Sequence, residues 1–318
     1  MIRLLVLSLC FAASGAWAQG WPDRAVKIVA PFGPGGTADK LGRLVAAQLT
    51  EHFKQSFVVE NKPGAGGSVG SQIVAQSAPD GYTFVVSGVA SHVVRPNLPG
   101  GTPYDPMKDF THVALLGGPP AVFAVKPSLP AKTLKEFIAL AKKEPGKLTY
   151  GSPGTGTFGQ LVAELFKHEA GINVVHVPYK GAARAVQDLM GGQISSISTT
   201  LTTASGQIKG GAARALALSS PKRLADYPDI PTFAEQGFPN IVGTVWFSLS
   251  GPAGVPPDIV DKLNAAVREA LKAPEVRNAV RSDAIEPNDL DAQQFTAFVA
   301  EELKRWAPIV KASGAKKD

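Results

Sequence analysis

Two glycine-rich loops carry the residue types best suited to chemistry in this 318-residue chain. The first reads PFGPGGTAD at residues 31–39, and the second reads SPGTGTFGQ at residues 152–160. Each follows a short apolar run and opens a helical pattern. Each therefore offers backbone N–H groups that no helical carbonyl can take, together with the positive end of a helix dipole. Thr37, Ser152, Thr155 and Thr157 add hydroxyl donors, and glycine lets the backbone come close to a ligand. That chemistry is anion binding. One helix end is worth only ~0.3–1 kcal/mol, up to ~2 when partly buried, whereas micromolar affinity needs about 8 kcal/mol. Several charge-assisted hydrogen bonds from both loops, shielded from water, supply the difference.

Other motifs compete for the same residues. GTGTFG at 154–159 is a literal G-x-G-x-x-G between a strand and a helix. A dinucleotide site also needs an acidic residue about 20 positions on, but the next strand ends in Pro178-Tyr179-Lys180. GGSVG at 66–70 fits the nucleophile elbow G-x-S-x-G, which requires a strand running straight into the serine. A Pro/Gly loop separates Glu60 from Ser68 instead, so Ser68 reads as a helix N-cap. A secreted hydrolase using Ser68 stays as the rival from another class, to be told apart by turnover. The five histidines form no H-x-x-x-H or H-E-x-x-H. His168 and His176 fall on different elements, and His52 and His112 read as surface residues. No P-loop occurs. The expectation is no catalytic residue, no metal and no cofactor.

The elements that position these loops alternate. Val26–Ala30, Phe57–Glu60 and Tyr82–Val86 read as strands, separated by helices through Leu41–Phe53 and through Ile73 and Val74. Val122–Val125, Leu148–Gly151, Ile172–Val177, Ala213–Ser219 and Val245–Ser250 read as further strands. Helices lie through Leu134–Ala141, Leu161–Phe166 and Ala182–Met190, and two more close the chain. This alternation argues an α/β fold with parallel sheets, in two halves that each hold one strand–Gly-loop–helix element. The length fits roughly two domains.

Composition narrows the class. Lys and Arg total 32 against 26 Asp and Glu, for a net charge of +6; no basic run or basic-aromatic stripe marks a nucleic-acid groove. Arg3, the apolar run Leu4–Ala13 and Ala16-Trp17-Ala18 have the three parts of a secretory signal peptide. The run is too short to span a bilayer, which takes about 20 apolar residues. Residues 1–18 are thus expected to be removed, taking with them Cys10, the only cysteine. The mature protein is expected to be exported, not membrane-embedded, and free of disulfides.

KIVAPFGPGGTADKLGRLVAAQL, VVENKPGAGGSVG, APDGYTF, TPYDPMKDF, PGKLTYGSPGTGTF, VPYKGAARAVQDLMGGQI and RALALSSPKR succeed one another in order. The series resembles the periplasmic solute receptors of tripartite tricarboxylate transporters, also called Bug receptors, across nearly the whole mature chain. The resemblance implies a two-lobed periplasmic-binding-protein fold (type II, Venus-flytrap) with two interdomain crossings. Lobe one would be 19–120 plus 245–318, and lobe two 121–244. It further implies a small organic carboxylate as ligand, and permease subunits of a tripartite transporter, or a sensor, as partner. Carried over, the clamp points to Phe32, Gly35, Gly36, Thr37 and Asp39, and to Ser152, Gly154, Gly156 and Thr157. The stretch from Ser87 through Ser91 to His92 and the turn Tyr179-Lys180-Gly181 would line the rest. Gln160 stands where the family commonly has His, and Ser195 and Thr199 stand where it often has Asp. Of these two, Thr199 is expected to face the pocket, where a hydroxyl in place of a carboxylate favours a ligand of net negative charge.

Overall fold

The computed structural model describes residues 20–281, 284–285 and 289–314; the leader expected at 1–18 lies outside them. The first lobe begins with β1 (Val26–Ala30), α1 (Thr37–Phe53), β2 (Phe57–Asn61), α2 (Ser68–Ala75) and β3 (Thr83–Gly88). A π-helical turn at Ala90–Val94 runs into one-turn α3 (Arg95–Asn97), and β4 (Phe110–Gly117) follows. The second lobe is built from β5 (Ala121–Val125), α4 (Leu134–Lys143), β6 (Thr149–Ser152), α5 (Phe158–Ala170), β7 (Val175–Pro178) and α6 (Ala182–Met190). It continues with β8 (Ser196–Thr200), α7 (Leu201–Lys209) and β9 (Arg214–Leu218). The chain then returns through β10 (Phe247–Pro252) to α8 (Pro257–Lys272), α9 (Pro274–Arg281) and α10 (Ala292–Ala312).

Local sequence explains most of these elements. Helix α1 buries Leu41, Val45 and Leu49, which the four-residue spacing stacks on one face. Helix α4 starts on a capping box in which Thr133 and Glu136 exchange hydrogen bonds. Helix α6 turns Ala182, Ala185, Val186 and Leu189 inward.

Each lobe holds one five-stranded sheet, in the orders β2-β1-β3-β10-β4 and β7-β6-β8-β5-β9. Neither is all parallel, contrary to the sequence expectation. Strand β10 runs antiparallel to β3 and β4, and β5 antiparallel to β8 and β9. A parallel neighbour needs a long crossover, usually helical. The passage from β4 to β5 has only three residues, so these two strands are set by the interlobe passage rather than by a βαβ unit. The outgoing and returning passages lie side by side, bridged at Pro120 and Thr244, with Val245 N–H donating to Pro119 O at 3.0 Å. A Cβ on Gly118 would stand 1.8 Å from the Val245 carbonyl oxygen, so only glycine fits there.

Candidate functional site

At the meeting of the lobes, the ends of several strands open onto a cavity of about 50 Å³. Four helices direct their N-termini at it: α1 through Gly36, Thr37 and Ala38, α5 through Thr157, Phe158 and Gly159, α6 through Ala182, and α7 through Thr200 and Thr203. Helices α1, α6 and α7 have no side-chain cap, which leaves their first N–H groups as donors. Thr37 Oγ1, from the first lobe, lies 2.7 Å from Thr200 Oγ1 and 3.3 Å from Thr203 Oγ1 of the second. Thr200 and Thr203 are 3.1 Å apart, so three hydroxyls form a triangle across the lobes. Ser87 and Ser91 add hydroxyls, and Phe32, Val86, Phe158, Val245 and Phe247 supply apolar wall. Among the described residues, no charged side chain lines the cavity. The positive potential comes from four helix ends and the donors from hydroxyls and backbone, an arrangement for a small anion.

The lobes are closed on one another. Gly33 N–H donates to Lys180 O at 3.1 Å, Lys40 Nζ to Thr202 O at 3.1 Å, and Arg95 Nη1 to Thr155 O at 3.2 Å. The space that remains between the closed lobes has room for only a few waters.

The structure sorts the expected site residues. Phe32, Gly36, Thr37, Ser87, Ser91 and Thr157 line the cavity. Gly35 and Asp39 stand behind it. Gly35 N–H donates to Asp39 Oδ2 at 2.9 Å, while Arg43 and Asn61 donate to Oδ1 at 3.0 and 2.9 Å. Burial pushes the Asp39 carboxyl up, but these hydrogen bonds outweigh it and hold it below the usual range. Asp39 thus fixes the first loop as an anion.

The second loop spends its donors internally. Gly156 N–H donates to Gln160 Oε1 at 2.7 Å and Gly154 N–H to Ser152 Oγ at 3.2 Å. His176, which sequence reasoning did not select, ties the pair together: its Nε2 is 2.7 Å from Ser152 Oγ and its Nδ1 3.4 Å from Gln160 Nε2. Neither Gly154 nor Gly156 faces the cavity: Gly154 packs on the Tyr179 carbonyl of its own lobe, and Gly156 on Arg95 of the opposite lobe. A Cβ on Gly156 would lie 2.1 Å from Arg95 Cδ. Lys180 contributes its carbonyl to the closure while its side chain is exposed. Gly181, at φ +137°, packs beside the Gly33 backbone.

Thr199 is not on the cavity wall. It is fully buried with its Oγ1 unpaired, and Thr200 and Thr203 take the place expected for it. Successive side chains of a strand point to opposite faces, and the register slip of one moved the expectation to the wrong face. His92 lies under the wall, 3.0 Å from Ser91 Oγ through Nδ1. His112 is a second correction: it is buried on β4, not at the surface, because Ser250 on the neighbouring strand receives it. Burial, and then His112, pull the His92 pKa well below its ordinary value; burial takes that of His112 down to about 4. Ser68 is not the N-cap expected of it: Gly67, in the left-handed region at φ +95°, takes that position, Ser68 is the first residue of α2, and its buried Oγ caps nothing and has no histidine or carboxylate partner among the described residues.

The model of the tripartite tricarboxylate transporter family receptor matches residues 41–315. The curated protein BugT of Bordetella pertussis is 34% identical over 322 residues, covering 99% of each chain. A solved R. palustris protein with adipate is 35% identical, with a TM-score of 0.89 over 93% of this chain and 99% of its own. MatC from Rhodopseudomonas palustris, with bound malate, is 31% identical, with a TM-score of 0.87 over 91% of this chain and 100% of its own. No helix among the described residues is long and apolar enough to cross a membrane.

Proposed function

The chain belongs to the tripartite tricarboxylate transporter receptor family, and on that premise we propose that it captures a small organic carboxylate in the periplasm and delivers it to the permease subunits of such a transporter. The observation that carries this reading is the interlobe cavity with four helix N-termini, a hydroxyl triangle and, among the described residues, no charged side chain in its wall. A carboxylate placed there takes the protons of Thr37, Thr200 and Thr203, which otherwise pair with one another. Charge-assisted hydrogen bonds contribute about 1.5–3 kcal/mol each, so three of them and the helix ends reach the ~8 kcal/mol of micromolar binding.

Binding and closure are one event, because the triangle draws from both lobes. Opening parts Thr37 from Thr200 and Thr203, and only the closed form excludes water from all three. Proteins similar to this one bind adipate and malate, which supports a four- to six-carbon dicarboxylate. The family's setting and the leader-like N-terminus support the periplasm, and mass spectrometry of the exported form should find Gln19 as its first residue.

Melting shifts across a panel of carboxylates and amino acids test the reading. A saturable rise of several degrees with at least one dicarboxylate, and no turnover of it, is the expected outcome. Stabilisation by neutral solutes alone, or ester hydrolysis lost in Ser68→Ala, would overturn it.

A further inference from the structure

The cavity between the lobes shares part of its wall with a second cavity, and Phe158 is the residue common to both. The second cavity, of about 30 Å³, lies between α5 and α10 beside the passage that returns from the second lobe to the first. Leu161, Leu165, Ile241, Trp306 and Ile309 are in its wall. Phe158 spans the two. Its neighbours Thr157 and Gly159 line the first cavity, while the far end of its ring reaches toward the second. A Cβ on Gly243 would lie 3.6 Å from both Phe158 Cζ and Trp306 Cη2, and the Phe158 and Trp306 rings meet edge to face with their centroids 5.6 Å apart. Phe158 is buried, and its ring fills the connection.

Helix geometry puts it there. Thr157 caps α5, so Phe158 is the first residue of the helix and stands at the cavity with the cap. Leu161, Val162 and Leu165 follow it at i+3, i+4 and i+7 on one face, and that face leads from the first cavity into the second. Among the described residues, no charged side chain lines the second cavity. The two N–H-bearing side chains in its wall are engaged by carboxylates: Trp306 Nε1 donates to Glu302 Oε2 at 2.9 Å, and Asn240 Nδ2 to Glu169 Oε1 at 3.3 Å. The same Glu302 oxygen accepts from Trp246 Nε1 at 2.9 Å, which ties the Trp306 side of the cavity to the returning passage. Such a space suits hydrocarbon and offers no cation to a carboxylate.

We infer that Phe158 is a specificity-determining residue: its ring ends the ligand's path along α5 and shuts off the apolar cavity behind it, so that the site selects short carboxylates over those with a longer alkyl tail. The inference rests on the carboxylate reading above and adds the ligand's length to it. With the head group at the helix ends and the threonine triangle, a tail that runs along α5 meets the ring. Removing the ring joins the two cavities. Each methylene then buried is worth about fourfold in affinity, so two of them contribute about tenfold or more. A tail that ends in a second carboxylate gains nothing there, because an ion buried without a partner opposes binding.

Two homologous series provide the test, with dissociation constants from calorimetry: butyrate, hexanoate and octanoate, and succinate, adipate and suberate. In the unmodified protein octanoate and suberate should bind at least about tenfold more weakly than the short acid that binds best. Phe158→Ala should raise the affinity for octanoate at least about tenfold relative to that short acid, and move suberate by less than about threefold. Phe158→Leu, which keeps a buried apolar side chain, should move octanoate in the same direction and decides the matter if Phe158→Ala fails to fold. Ile241→Ala widens the second cavity behind an intact ring and should leave the ratio unchanged. The inference would be overturned, and the carboxylate reading left standing, by an unmodified protein that binds octanoate as tightly as the short acids. A ratio that neither Phe158 variant moves, or that Ile241→Ala moves as far as they do, would overturn it equally. Binding of none of these acids to any of the proteins would remove the carboxylate reading, and the inference with it.

Discussion

Gly156 is the position where a single methyl group should separate closure from folding. A Cβ built there would lie 2.1 Å from Arg95 Cδ, 2.9 Å from Arg95 Cγ and 3.0 Å from a Leu98 methyl, all on the other lobe. Arg95 is 3% exposed, so its stem has little room to retreat. Relieving the overlap requires the lobes to stand roughly 1 Å or more farther apart at this edge. That displacement breaks the 3.2 Å bond from Arg95 Nη1 to Thr155 O and lengthens the 2.7 Å contact between Thr37 and Thr200. Overpacking costs about 1–3 kcal/mol, and a charged hydrogen bond contributes about 1.5–3 kcal/mol. Gly156→Ala should therefore weaken carboxylate binding by roughly 3 kcal/mol or more, about a hundredfold. The backbone φ of +76° adds a strain that acts in open and closed forms alike. Gly171→Ala isolates that strain: its φ is +60° and nothing lies within 4 Å of its Cβ. It should lower the melting temperature with unchanged affinity. Calorimetry gives the affinities, and small-angle scattering with ligand gives the closure. Near-normal affinity and full compaction in Gly156→Ala would refute the steric argument.

Three further outcomes follow from the same geometry. Thr200→Asp should weaken an anionic ligand by at least about tenfold by calorimetry, whereas Thr199→Val should leave affinity unchanged, since Thr199 is sealed behind the wall with an unpaired hydroxyl. Acid should destabilise the fold through His112. Its folded pKa of about 4 lies below the ordinary 6.5, so between these values the unfolded chain binds more protons and stability falls as pH falls. The loss is at most about 1.4 kcal/mol per pH unit for this ring, is absent above the ordinary value, and should shrink in His112→Asn on melting from about pH 7 to 5. Finally, a cavity lined, among the described residues, by no charged side chain should bind its anion almost independently of salt. Titration should find affinity changed by less than roughly twofold between low and high ionic strength; a steep fall would require a cation at the ligand.

The sequence was legible where periodicity and glycine agree. Val26–Ala30 and Ala182–Met190 have the bounds that their patterns predict, and both glycine-rich loops open helices at the cavity. It was opaque where polar residues are buried. Strand β8 reads SISTT, with every residue buried, so no apolar alternation announces it, and the register error at Thr199 followed. Strand β4 hid for a related reason: His112 looks like a surface residue in sequence, but its partner Ser250 lies 138 positions away.

The order of strands also has a consequence for how the chain assembles. Every strand of the second sheet lies between Ala121 and Leu218, so that sheet is complete once this stretch is available. The first sheet is not. Among the described residues, strand β4 has β10 as its only neighbour, and β3 keeps an open edge until β10 arrives from residues 247–252. Two hydrogen-bonding edges, one of them carrying Val113, Leu115 and Leu116, must wait for a segment more than a hundred residues downstream. Such waiting edges are where chains pair wrongly. In a chain delivered from its N-terminus, the second lobe can fold as an early cooperative unit while the first is held open for its last strand.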